Sequence, residues 1–392
     1  METFSFRSLL YLTYDLSLVG TVLSLAGALY YLLWRPMRQR VRTPALAVAG
    51  ADGGMEAVSV ASLALERWER RAMPTFLLLC FGSNLAAMFS RTLEVRHWPA
   101  QTMYEVIPLG TTAGFLSGLI LYYVLDFQRV GGIARGFVHL FNLLVFGLCA
   151  GFLHHTLGLD PTGRALPPAL QSYWFPPHIS AYMMGYFTFF IAAAASWLYF
   201  CCRVWRSVLE PGAAPLDRRT VALTALALAV CIPFGRYAVL LGPGLFLLSG
   251  LICWISVRRG GGMAWFDPFQ EGADNFTWKI FVVGFPFLTA GLIQGALWAQ
   301  EAWAIYWGWD SKEVSALISW LFYVVYLHLR YVAGWRGEKG MWILLFGGLS
   351  VYITFQLFGF LPASQSSLHR YTDMDVVPAE GMMGAPEAAV AE

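Results

Sequence analysis

Apolar runs close to the roughly twenty residues that a helix needs to cross hydrocarbon recur along almost the whole chain. They fall near residues 11–34, 74–90, 105–125, 136–153, 179–202, 221–237, 240–257, 276–297, 314–333 and 341–361. A segment in lipid must satisfy its backbone polar groups internally, and runs of this length do so as helices. The expectation is therefore an all-α polytopic integral membrane protein with about ten transmembrane helices. Composition agrees, since 58% of residues are hydrophobic and only 13% are charged, far from a soluble domain. The sixth and seventh runs are the weakest, because Pro233, Gly235, Arg236 and Gly242-Pro243-Gly244 interrupt 221–257; one re-entrant hairpin fits nearly as well. No basic start, short apolar core and small-residue cleavage site precedes the first run, which reads as a retained span.

Cations orient these spans. Segments 35–73, 126–135, 203–220, 258–275 and 334–340, together with Arg330, hold about eighteen of the twenty-six Lys and Arg residues, which puts them on the cytoplasmic side. Both termini then lie on the outer, periplasmic face. The chain divides into a first helix and basic cytoplasmic loop (1–73), a membrane core (74–370) carrying a Trp-rich loop at 295–313, and a disordered outer tail (371–392) poor in bulky apolar residues. Segment 35–73 reads as a solvated, partly helical loop at the headgroups. The six cysteines, Cys80, Cys149, Cys201, Cys202, Cys231 and Cys253, sit in or beside apolar runs and form no CxxC or zinc spacing, so they read as inert packing residues.

Chemistry gathers in WAQEAWAIYWGWDSKE, residues 298–313, which holds four of the sixteen tryptophans. An aromatic belt explains one or two such residues; four suit a platform for a flat ring. Trp303 and Trp307, four apart, share a face if the loop is helical. Asp310 with Glu313 reads as a capping box that starts the next helix. Only seven histidines occur. His178, in LPPALQSYWFPPHISAY, and His369, in LPASQSSLHRY, both fall on the side of the Trp-rich loop. Each reads either as an ordinary interfacial histidine or as half of a clamp, two imidazoles on opposite faces of a porphyrin giving six-coordinate iron. His328, in ISWLFYVVYLHLR, lies near the inner end of its span, where a polar ring needs a partner; His139 is a weaker candidate there. His97, His154 and His155 read as surface residues.

Residues 295–330, GALWAQEAWAIYWGWDSKEVSALISWLFYVVYLHLR, resemble the CcsA (ResC) family, the haem-handling membrane subunit of System II cytochrome c maturation, whose hallmark is an outer Trp-rich loop called the WWD domain. The WD-x-KE core stands at Trp309, Asp310, Lys312 and Glu313, with Ser311 where the family has Pro. Upstream, HWPAQTMYE (97–105) is similar to the family's GHxPxSNMYE element, with Thr102 in place of Asn. The resemblance spans about 74–370.

It implies that His178 and His369 are axial ligands of an outer haem b, that Trp298, Trp303, Trp307, Trp309 and Asp310 hold the porphyrin, and that His328 belongs to an inner haem site. It implies partners too: a separate CcsB (ResB)-like membrane subunit supplying a second inner histidine, apocytochrome c, and a thiol-reducing thioredoxin-like protein with its membrane electron donor. No nucleic acid is implied. The expected activity is haem transport across a bacterial cytoplasmic (inner) membrane, or a thylakoid membrane, with covalent attachment to CxxCH motifs as the CcsA half of a cytochrome c synthetase. A haem exporter or chaperone that forms no thioether is the alternative, and a membrane scaffold the plainest reading.

Overall fold

The structure is a computed structural model and describes residues 5–34, 60–131, 135–210, 221, 238–258, 263 and 266–357. Among these residues nine α-helices and no strand occur: α1 (Phe6–Leu29), α2 (Val60–Val95), α3 (Met103–Val124), α4 (Arg135–Leu157), α5 (Phe175–Leu209), α6 (Ala238–Arg258), α7 (Phe266–Trp303), α8 (Ser311–Tyr331) and α9 (Glu338–Tyr352). Single π-helical turns, Tyr30–Trp34 and Ile353–Leu357, extend α1 and α9. Among the described residues, seven helices are long and apolar enough to cross a membrane. The protein is thus an all-α polytopic membrane protein, as the apolar runs required. The sixth expected run, 221–237, lies outside the described residues except for Val221, as do His369 and the tail.

Helix lengths depart from hydropathy where charged flanks extend a span. α2 begins at Val60, well before the apolar run at 74, and continues through Pro74. A proline inside a helix strips the carbonyl four residues back of its donor; here the Tyr122 hydroxyl approaches Arg70 O at 3.5 Å and supplies one. α7 has 38 residues, about 57 Å of helix against the roughly 30 Å of hydrocarbon. Trp298 and Trp303 stand in its last two turns.

α3 and α5 are the most enclosed spans, whereas α8 has only 17% of its apolar window buried. α5 packs chiefly against α7 and α9, α1 against α4, and α3 against α2, α4 and α5; α8 rests on α9 at the rim. Inside the core, two polar contacts join neighbouring helices, as hydrocarbon favours. Asn84 Nδ2 donates to Pro108 O (3.0 Å) and Thr111 Oγ1 (2.7 Å), and Ser117 meets Thr188 at 2.9 Å. Cys80, Cys149, Cys201, Cys202 and Cys253 are buried free thiols; Cys231 lies outside the described residues.

The HWPAQTMYE element is a clamp. Glu105, 1% exposed, takes Arg91 Nε at 3.0 Å on one oxygen and the Gln101 and Thr102 amides at 3.1 and 3.4 Å on the other. Arg91 also reaches Glu94 (3.2 Å) and Pro161 O (3.0 Å). The set binds α2, the start of α3 and the 158–166 loop. His97 is not the surface residue expected: its ring is half-buried, with Nδ1 2.9 Å from Trp98 O and Nε2 3.0 Å from Arg164 O.

Candidate functional site: the tryptophan loop and His178

α5 opens after Trp174 with prolines in its first turn, where the missing N–H costs nothing. That sets His178 one turn into the helix, facing α7. Its Nδ1 lies 2.8 Å from Gly291 O. A carbonyl accepts only, so Nδ1 carries the hydrogen and the lone pair is on Nε2, the nitrogen a metal would take. The ring lies over Gly295, where a Cβ would stand 2.6 Å from His178 Cε1. Trp298 packs beside it at 5.4 Å between ring centroids and Tyr182 stands edge-on at 4.9 Å. Gly291-x-x-x-Gly295 is a small-residue pair at helical spacing. It is the sequence signal for this close approach.

The four tryptophans form two pairs. Trp298 is only 2% exposed, donates Nε1–H to Ala169 O at 2.8 Å and meets Trp303 at 5.0 Å; it is a wall of the site under the 168–170 turn. A hydrogen bond between Ser172 Oγ and Glu301 fastens the loop before α5 to α7. α7 ends at Trp303, and Ala304 turns left-handed at φ +59°. The loop is therefore not helical, and Trp303 and Trp307 share no helical face. Trp307 instead meets Trp309 at 6.1 Å and 84°. Trp309 is 72% exposed and also left-handed, φ +56°, a conformation that costs a non-glycine residue about 1 kcal/mol.

The acidic residues hold the loop's shape. Glu313 Oε2 accepts the Gly308 amide at 2.9 Å and the Asp310 amide at 3.1 Å, while Asp310 Oδ2 accepts the Lys312 amide at 3.2 Å. This is the expected capping box, completed at the N-terminus of α8. Two buried polar atoms in this region have no partner: Trp307 Nε1, and Gln294 Oε1, from a residue sharing the α7 face of Gly291 and Trp298. A flat aromatic ligand with polar edges and an axial metal would engage such a set: an oriented imidazole, indole walls and two unmet polar atoms.

His328 lies seventeen residues along α8 from Ser311, about 26 Å of helix, and does not join this site. It is exposed on the rim of the bundle. Beside it Arg330 forms a two-pronged bond to Asp274, at 2.9 and 3.1 Å, and covers the Trp278 ring at 4.6 Å. His139 is buried on α4 against Glu69. His154 and His155 are exposed, as expected.

Fold and site thus define a polytopic membrane protein with a packed cluster of aromatic rings around a histidine. The sequence profile described as "Cytochrome C assembly protein" matches residues 112–363. A "Cytochrome c biogenesis protein CcsA" of Cyanophora paradoxa is 29% identical over 282 residues, covering 71% of this chain and 81% of that protein. Its namesake in Synechococcus sp. (strain RCC307) is 32% identical over 281 residues, 69% and 76% of the two chains, and that of Chlamydomonas reinhardtii 42% over 109 residues, 28% and 31%. The chain belongs to the cytochrome c assembly family, among the CcsA proteins.

Proposed function

We propose that this protein carries haem b, as substrate, across a bacterial cytoplasmic or thylakoid membrane and presents it for covalent attachment to CxxCH motifs of apocytochrome c. It acts as the CcsA half of a two-subunit synthetase with a CcsB-like partner, while a thioredoxin-like reductant keeps the CxxCH thiols reduced. The observation that carries this reading is the pinned ring of His178, with Nδ1 on Gly291 O, beside a tryptophan cluster. Nε2 of His178 and the imidazole of His369 would hold the iron. Trp298, Trp303, Trp307 and Trp309 would hold the porphyrin, and Asp310 keeps the loop in register through the capping box. His328, exposed on the rim, presents its imidazole where a partner subunit can complete an inner site.

In this assignment the chain supplies position and exclusion of water, and the bound haem supplies the vinyl groups to which thiols add. The test is the absorbance of the detergent-purified chain, with and without a CcsB-like partner, beside a His178→Ala, His369→Ala double variant. A low-spin bis-histidine spectrum that the double variant loses is expected; colourless protein under both conditions overturns the assignment. Thioether-linked product from a CxxCH peptide and reduced haem separates a synthetase from an exporter, which yields none.

Trp309 provides a sharper check. Trp309→Gly relieves the left-handed backbone and should leave stability unchanged or raise it by about 1 kcal/mol. Haem retention, read from the Soret band, should nevertheless fall severalfold. A variant that retains haem fully removes Trp309 from the site.

A further inference from the structure

α2 bears a groove on its outward side, where its charged first turns pass into its apolar run. Two adjacent rows at i, i+4 spacing line it, one from Arg67 to Leu79 and one from Trp68 to Phe76. The hollow measures about 650 Å³, within the roughly 300–1,000 Å³ of small-molecule sites. It is deepest in side-chain terms at its middle, where Ala72 and Thr75 are short beside Trp68 and Phe76. The Phe76 ring meets Phe146 of α4 at 5.7 Å, which fixes one end against the bundle. Trp68 is 61% and Leu79 53% exposed, so the groove opens away from the protein.

Its chemistry is graded along the helix. Arg67 and Arg71, both exposed, stand at the N-terminal end, and helical side chains lean that way, which carries the guanidiniums toward the headgroups. Trp68 suits the interface between headgroup and hydrocarbon. Phe76 and Leu79 lie past the start of the apolar run, and twelve residues from Arg67 to Leu79 span about 18 Å. The acidic residues of this stretch turn to the opposite side: Glu66 and Glu69 are 5% and 6% exposed. Glu66 pairs with Arg70 at 3.6 Å, while Glu69 accepts the Tyr31 hydroxyl at 2.8 Å and faces His139 Nε2 at 3.4 Å. Among the described residues no carboxylate lines the groove, so its polar end is positive. By the positive-inside rule that end meets the cytoplasmic leaflet, where anionic lipids concentrate negative charge.

We propose that this groove binds one anionic phospholipid of the cytoplasmic leaflet, with its phosphate between Arg67 and Arg71 and an acyl chain along Phe76 and Leu79. Guanidinium forks match phosphate oxygens, Trp68 flanks the headgroup, and the hollow at Ala72 and Thr75 takes the glycerol backbone. Selectivity has two sources. A zwitterionic lipid brings an ammonium that the two arginines repel, and a free phosphate brings no chain for the apolar end. The site lies on a helix that does not bear the tryptophan loop and stands independently of the haem assignment.

Native mass spectrometry of the detergent-purified full chain tests it, by titration with phosphatidylglycerol or with phosphatidylcholine of the same acyl chains. The first phosphatidylglycerol should bind about tenfold more tightly than phosphatidylcholine. Arg67→Gln with Arg71→Gln should weaken it about 10- to 30-fold, to near the phosphatidylcholine value. Arg129→Gln with Arg336→Gln removes the same charge from exposed positions elsewhere and should change the affinity less than about twofold. Arg71→Gln alone should give part of the loss, and it decides the matter if the first pair does not fold. Equal affinity for the two lipids, or equal losses in the two double variants, overturns the proposal. Displacement of the lipid by millimolar inorganic phosphate would show a plain anion site and overturns the lipid assignment as well.

Discussion

On the proposed assignment of His178 to haem, Gly295→Ala is expected to weaken haem binding about 10- to 100-fold and to lower cytochrome c maturation, although His178 itself is kept. The added methyl would stand 2.6 Å from His178 Cε1 and 2.9 Å from Nδ1. The ring cannot slide aside, because Trp298 and Tyr182 flank it and Gly291 O holds Nδ1 at 2.8 Å. Either the imidazole turns and surrenders its tautomer, or α5 and α7 part. Overpacking costs about 1–3 kcal/mol, so the variant should still insert and run as a single species. Haem titration followed by the Soret band, with a thermal melt beside it, separates a displaced ligand from a lost fold. Parent-like affinity would mean that the ring is not held as described.

Glu105→Ala should be strongly destabilising, by about 3–5 kcal/mol. Arg91 is 5% exposed and would keep only the partly solvated Glu94 and a carbonyl, while the Gln101 and Thr102 amides lose their acceptor. Pairing Glu105→Leu with Arg91→Met should recover much of that loss, since two apolar side chains leave no buried charge unpaired. Thermal unfolding in detergent reads both. Additive losses in the double variant would show that the ion pair is not the source of the effect.

These two expectations lie at opposite ends of what the sequence makes legible. The GHxPxSNMYE-like element was read as a family signature, yet its mechanics needed Arg91 on α2 and Pro161 O on a distant loop. His97 read as a surface residue because nothing nearby in sequence engages it; its second carbonyl comes from Arg164, 67 residues on. Trp298 read as a platform for a ligand and is largely a wall, since Ala169 O, 129 residues earlier, takes its N–H. Trp303 and Trp307 read as one helical face until the left-handed Ala304 separated them.

What the sequence determined by itself is what depends on neighbours within a turn or on the solvent. Apolar runs of spanning length make helices because hydrocarbon offers the backbone no other partner. Asp310 and Glu313, three residues apart, make a capping box wherever a helix starts there. The density of tryptophan marked the loop. Only the tertiary structure decided which nitrogen of His178 carries its proton, that Glu69 faces His139, and that glycine is required at 295. Those outcomes rest on contacts between helices 70 to more than 110 residues apart. No local pattern specifies them, because they follow from how closely two packed backbones approach.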